Sequence, residues 1–346
     1  MLKKKLIDAS YKELLGKRLV ISRTDNLGDV ILTLPMLGYL KSMVPDLKIF
    51  FIGKKYTEAV INQCVFVDQF LDAEALSKPQ TLAALQADTI IFIYPDKNLA
   101  RLAKHAGIKH RVATSHRWYN WLYCNHLVNF SRVNSTLHES QLNFKLLRPF
   151  KLNDVIDINE LIPYYGIQPT MKDFSALLSR DHFNLIIHPK SKGSAREWPL
   201  QSYYELVQSL PSQSYKIFVT GLQAEGDLIR KEKPELLSHP NVTDLTGKFN
   251  LTELTSFISQ ADGLLACSTG VLHLAAAVGI YTLGLYSPMK PIHPGRWMPI
   301  GKNASYLVQH KECNDCRASK ECACINSIKT NEVKEQVDLF KTNRST

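Results

Sequence analysis

The chain has 346 residues, too many for one compact core and suited to two domains of ordinary size, with 45% apolar and 21% charged residues as in a soluble globular protein. No run approaches the roughly eighteen apolar residues of a membrane-spanning helix, and "MLKKKLIDASYKELLG" has no apolar stretch of signal-peptide length, so a cytoplasmic location is expected. The formal charge of +10 is uneven: residues 1–165 carry 22 Lys and Arg against 15 Asp and Glu, or +7, leaving +3 for the rest, so the first half faces an anionic membrane, glycolipid or nucleic acid, or simply water.

The first strand, "RLVISRT", runs into "RTDNLGDVILTLP". Asp29 falls at the start of a helix, where the macrodipole favours an acid whatever else it does. The same place is a strand-to-helix loop, where open parallel sheets gather ligands. The apolar run after Asp29 buries that helix, and a carboxylate held on a rigid element can take a proton from a substrate hydroxyl.

Strands "LKIFFIG", "DTIIFIYP" and "HRVATS" follow, with a helix predicted from Asp96 to Ala106. "HRWYNWLYCNH", His116 to His126, mixes four aromatics with cations. Such a segment rests on a membrane interface, stacks on sugars or on bases, or forms a partly buried helix, which is the expectation for Trp121. From Lys151 to Arg180 the periodicity blurs, and this is taken as the linker.

The second half restarts with "FNLIIHPKS", "SYKIFVTG", "VTDLTG", "GLLACSTG" and "YTLGLYSP". Strands alternating with helices in both halves predict two doubly wound domains, 1–165 and 175–326, facing across a cleft. The loop His188 to Pro199 offers Lys190, Lys192 and Arg196 as cations, Ser191 and Ser194 as donors, and Gly193 for a turn. That set suits a diphosphate without a metal, and equally an exposed polar loop. Glu225, shortly after a strand, either accepts ribose hydroxyls or is a first-turn acid. Ser268-Thr269-Gly270 caps a small-residue helix ending at Gly279, whose first N–H groups make an anion site, with His273 in its first turn. No Asp-x-Asp triplet occurs to hold a metal at such a site.

Cys313, Cys316, Cys322 and Cys324 cluster in "CNDCRASKECAC", open to a structural zinc, reduced thiols or a labile disulfide. "SIKTNEVKEQVDLF", with Ile328, Val333, Val337 and Phe340, predicts a docking helix over 327–342.

"RTDNLGDVILTLPMLGYLK", "HPKSKGSAREWPLQSYYEL", "DLTGKFNLTELTSFISQADGLLACSTGVLHLAAAVG" and "KPIHPGRW" resemble, in this order, the motifs of glycosyltransferase family 9, which contains the lipopolysaccharide heptosyltransferases. "HAGIKHRVA" and "HESQLNFKLL" extend the likeness over nearly the whole chain. The resemblance implies a GT-B fold, an acceptor-binding first domain, a nucleotide-sugar-binding second domain, and a C-terminal helix that returns to the first. It implies inverting, metal-independent transfer from a nucleoside-diphosphate sugar, ADP-heptose above all, to an anionic glycolipid at the inner membrane, with no nucleic acid. Asp29 matches the family's general base, and Asn26 and Gly28 lie beside it on the acceptor side. Lys190, Ser191, Ser194, Arg196, Glu225, Thr269, Gly270 and His273 match or fall near the donor-binding positions. Ser268 departs from the Asp that heptosyltransferases typically carry. The alternatives are a sugar-nucleotide epimerase or hydrolase of the same fold and a non-catalytic nucleic-acid binder.

Overall fold

Leu19, Val20 and Ile21 are fully buried, as a strand covered by helices on both faces requires, and the same holds for Ile90 and Ile91 beside them. The computed structural model describes residues 14–133, 135–309, 313 and 321–344. It divides into two compact units, Met1–Gln168 and Pro169–Thr346.

In the first unit, β1 (Arg18–Ser22), β2 (Lys48–Gly53), β3 (Gln69–Asp72), β4 (Thr89–Phe92), β5 (His110–Thr114) and β6 (His126–Val128) form a parallel sheet in the order β3-β2-β1-β4-β5-β6. In the second, β7 (Phe183–His188), β8 (Tyr215–Val219), β9 (Val242–Asp244), β10 (Gly263–Cys267), β11 (Tyr281–Tyr286) and β12 (Ala304–Val308) pair in parallel as β12-β11-β10-β7-β8-β9. Numbered from its own first strand, each sheet reads 3-2-1-4-5-6. Both therefore reverse direction between first and fourth strands, and a crevice opens at the carboxyl ends there.

The elements end where their residues dictate. Asp96 accepts the N–H of Leu99 at 3.0 Å and caps the Lys97–His105 helix, a contact worth about 1 kcal/mol. Gly279 closes the Gly270–Val278 helix at φ 92°, a left-handed conformation that a side chain would strain. The first unit extends past the predicted boundary at 165 because Gln168 donates its N–H to Gln63 O at 2.8 Å and Ile167 bridges Cys64.

Three expectations are corrected. Strands β3, β6 and β12 were absent from the sequence reading. Trp121 is exposed, and Asn120 is the buried residue of the Trp118–Tyr123 helix, its amide donating to Thr114 O at 2.8 Å. The C-terminal helix, Thr330–Arg344, belongs to the second unit and not the first. Val333, Val337 and Phe340 enter the second core, Phe340 stacks on Tyr281 at 5.1 Å, and Tyr215 donates to Asp338 at 2.5 Å. Burying such side chains contributes roughly 1.5–3 kcal/mol each, which fixes where the helix docks.

Candidate active site

Each unit carries a candidate site at its switch point. In the first, Arg23 follows β1 directly and its N–H donates to Ile52 O at 3.0 Å, continuing the pairing with β2. Its side chain is only 3% exposed. From there Nε donates to Asp25 Oδ1 at 2.7 Å, Nη1 to Asn143 Oδ1 at 3.2 Å, and Nη2 to Glu139 Oε1 at 3.1 Å and to Asp29 Oδ1. Glu139, buried to 1%, also receives Arg132. Arg132 donates further to Ile93 O at the end of β4 (3.3 Å) and to Asn143 Oδ1 (3.2 Å).

The backbone under Asp29 is held by the same elements. Leu27–Ile31 is a short helix that breaks at Leu32 and Thr33 before Leu34–Met43 begins. A helix end leaves carbonyls without partners. Here the Glu139–Phe144 helix supplies them: Ser140 Oγ donates to Leu32 O at 2.7 Å, and Asn143 Nδ2 to Leu32 O at 3.3 Å and Thr33 Oγ1 at 3.2 Å. Thr33 Oγ1 in turn donates to Asp29 O at 2.9 Å. Gly28 lies within the helix, and Asn26 stands at its N-cap, exposed and with no side-chain capping bond.

Asp29 is thus one of three acids around two guanidiniums, where the sequence nominated it alone. Burial raises its carboxyl above the ordinary range, Arg23 opposes, and Glu139 adds to the rise. Burial likewise pushes Asp25 up to about 6 against the pull of Arg23. With three carboxylates facing two permanent cations, the cluster has room for one proton. A carboxylate with raised proton affinity, held in a strand-to-helix loop, is equipped to take one from a hydroxyl.

In the second unit the candidate residues come from three adjacent strand ends, β10, β7 and β8. After β7 the chain turns at Lys192 (φ 50°) and Gly193 (φ 81°). Glu197 organises this loop: Oε1 accepts Ser191 N at 2.7 Å and Ser191 Oγ at 2.8 Å, and Oε2 pairs with Lys190 at 3.4 Å. Lys190 also meets Glu232 at 2.9 Å. Burial works against its charge, and the two carboxylates outweigh it, so its pKa is raised. Lys190 and Ser191 therefore shape the loop from within, whereas Ser194 is exposed and donates to Ser191 O at 2.8 Å. Arg196 is half-buried.

Trp198 pins this loop to β10. Its N–H donates to Cys267 Sγ at 3.3 Å, and its fully buried indole donates to Ile328 O at 3.0 Å. Next along β10, Ser268 is half-buried and Thr269 caps the Gly270–Val278 helix, accepting Leu272 N at 3.3 Å. Gly270 opens that helix, and amides at a helix N-terminus are able to receive an anion. His273 is buried in the helix body. Past β8, Glu225 Oε2 accepts Leu222 N at 2.7 Å and caps the start of the Gln223–Glu232 helix, the first-turn role that its position allowed. At the end of β7, His188 faces Thr220 Oγ1 at 3.0 Å, and burial pushes its pKa down to about 4.

Cys322 and Cys324 are buried in the second core, Cys322 donating to Ser287 Oγ at 3.2 Å, and Cys313 packs on the same core. Cys316 lies outside the described residues. Among the described residues no group of three or more His, Cys, Asp or Glu is placed to hold a metal ion, and no helix is long and apolar enough to cross a membrane.

Sequence reasoning missed Arg23, Asp25, Arg132, Glu139, Asn143 and Glu197. A charged residue just past the buried run Leu19-Val20-Ile21-Ser22 was the available signal for Arg23, since a buried guanidinium requires acids around it.

Residues 77–325 match the family model described as glycosyltransferase family 9 (heptosyltransferase). A Haemophilus influenzae protein provisionally assigned as a glycosyltransferase is 28% identical over 300 residues, covering 82% of this chain and 86% of its own length. Among solved structures, Escherichia coli ADP-heptose lipopolysaccharide heptosyltransferase II aligns with a TM-score of 0.75 at 16% identity, over 96% of this chain and all 100% of that one. Escherichia coli heptosyltransferase WaaC with ADP aligns with a TM-score of 0.67 at 17% identity, over 93% and 99% of the two chains. The shared fold is the GT-B pairing of two Rossmann-like units.

Proposed function

This chain belongs to glycosyltransferase family 9 and is a glycosyltransferase, and we propose that it moves heptose or a related sugar from ADP-heptose to a lipopolysaccharide core or similar anionic glycolipid. Transfer proceeds with inversion and without a catalytic metal, on the cytoplasmic face of the inner membrane. The observation that carries this reading is the placement of Asp29 at the first switch point, ion-paired to a buried Arg23.

Asp29 takes the proton of the acceptor hydroxyl while its oxygen attacks the anomeric carbon from the side opposite the diphosphate. The bond from that carbon to the diphosphate oxygen breaks, and a single displacement inverts the centre. Arg196, with Ser194 beside it, and the amides that begin at Gly270 receive the negative charge of the departing ADP. Glu197, through Lys190 and Ser191, holds the loop that carries Arg196. Ser268 and Thr269 shape the helix entrance, His273 supports it from beneath, and Glu225 meets the ribose through its second oxygen. The proposal of a donor with ADP draws on the solved relatives, whose names include ADP-heptose and ADP.

Because Ser268 removes a carboxylate from the donor side, the test uses a panel of ADP-heptose with ADP-, UDP- and GDP-hexoses, read by melting temperature. ADP-heptose at 100 times its Kd raises stability by about 2.7 kcal/mol. Turnover of that donor requires the glycolipid. Consumption of donor without any acceptor would instead make the enzyme a hydrolase or epimerase, and RNA binding that sugar nucleotides fail to displace would replace both.

A further inference from the structure

We propose that the Trp118–Tyr123 helix, together with the Lys97–His105 helix beside it, is the surface that seats this enzyme on an anionic phospholipid bilayer. The inference rests on the reading that the acceptor is a lipid, and names the face that meets its membrane.

Trp118, Trp121 and Leu122 are 64%, 66% and 53% exposed, all on one short helix. Large apolar side chains grouped in water mark a contact surface. Trp121 already satisfies its polar edge, since its indole N–H donates to Ser115 O at 2.9 Å, so the hydrocarbon part of the ring is what solvent meets. Lys97 Nζ lies 5.0 Å over the Trp118 ring, and Lys104 Nζ donates to Leu122 O at 2.9 Å. Arg101 and Arg117 are exposed on the same two helices or next to them.

The charge here is of one sign. From Lys97 to His126 the chain carries Lys97, Arg101, Lys104, Lys109, Arg111 and Arg117 and not a single Asp or Glu. The acid just before this run, Asp96, spends its carboxylate on the Leu99 N–H. Aromatic rings inside a cationic rim match a bilayer interface, where rings enter the headgroup layer and cations meet anionic lipid. Nucleic acid is the poorer match, because Lys97 covers one face of Trp118 on which a base would stack.

The placement also suits the chemistry. Strands β4 and β5 end at the sheet edge that carries the Asp29 loop, and both helices begin from that edge. A bilayer met here brings lipid headgroups to the side of the unit where the acceptor hydroxyl is needed.

The test sediments the full chain with phosphatidylcholine vesicles, with and without phosphatidylglycerol, in the absence of donor and acceptor. The expected result is salt-sensitive binding that requires phosphatidylglycerol, with tryptophan fluorescence quenched by brominated acyl chains. The Trp118→Ser/Trp121→Ser variant loses about tenfold in partitioning, and Lys97→Gln and Arg117→Gln about fivefold each. Both sets keep the melting temperature and the transfer to a lipid-free acceptor glycan. A wild-type chain that ignores phosphatidylglycerol, a double Trp variant that binds as tightly as wild type, or RNA that strips the protein from vesicles would overturn the proposal. Vesicle binding by a chain that glycosylates no glycolipid would refute the acceptor reading and leave this surface standing, and glycolipid transfer without vesicle binding would do the reverse.

Discussion

The two units repeat one strand order and place a candidate site at the same switch point, yet they build those sites from different materials. The first gathers five charged side chains in a buried network, so each one depends on the others. The second relies on main-chain amides at a helix start and on a loop held in place by Glu197 and Trp198. Buried charges fix a reacting group in position and tune its proton affinity. Amides cradle an anion and leave little to tune. The difference fits the proposed division, with proton transfer in the first unit and leaving-group binding in the second.

The sharpest way to break this contrast is Arg23→Met. Removing the guanidinium leaves Asp25, Asp29 and Glu139 buried around an apolar side chain, and breaking buried pairs in this way costs about 3–5 kcal/mol. Urea denaturation should show that loss, whereas removing Lys190, which meets its acids in a more open setting, costs far less.

Asp25 gives the next largest effect, in the pH dependence of stability. Its folded pKa of about 6 lies above its ordinary value of 3.8, so between those values the folded chain holds more protons than the unfolded chain. The stability it contributes is present below pH 4 and lost as pH rises through 6, on the order of 2–3 kcal/mol. Denaturation midpoints across that window should fall in wild type and flatten in Asp25→Asn.

Glu139→Gln sharpens the comparison at the level of turnover. The charge of Glu139 helps raise the Asp29 carboxyl. Neutralising it moves the acid limb of kcat/KM to lower pH. A limb that stays in place would make Glu139 a purely structural partner. Smallest is Thr269→Ala in the second unit, where loss of the cap costs about 1 kcal/mol by denaturation and the donor amides remain.

Much of this was legible in the residues. The central strands announce themselves as apolar runs because helices cover both their faces. Three of the four edges do not: Gln69–Asp72, His126–Val128 and Ala304–Val308 are short and half exposed and carry no such run. Asp29, Arg196 and Thr269 were visible from loop position and from family motifs. Glu139 was not, because its partner Arg23 is 116 residues away and nothing beside Glu139 marks it. The C-terminal helix was legible as a helix from its spaced apolar residues, but spacing names a face without naming what covers it.

The central claim is that the acid belongs to the first unit and the donor to the second. The most direct test measures, on one preparation of Asp29→Asn, both ADP-heptose affinity by calorimetry and sugar transfer to glycolipid. The account predicts an unchanged Kd and a kcat lowered by about 10²–10⁴. Donor affinity that falls together with turnover, or turnover that survives, would contradict it.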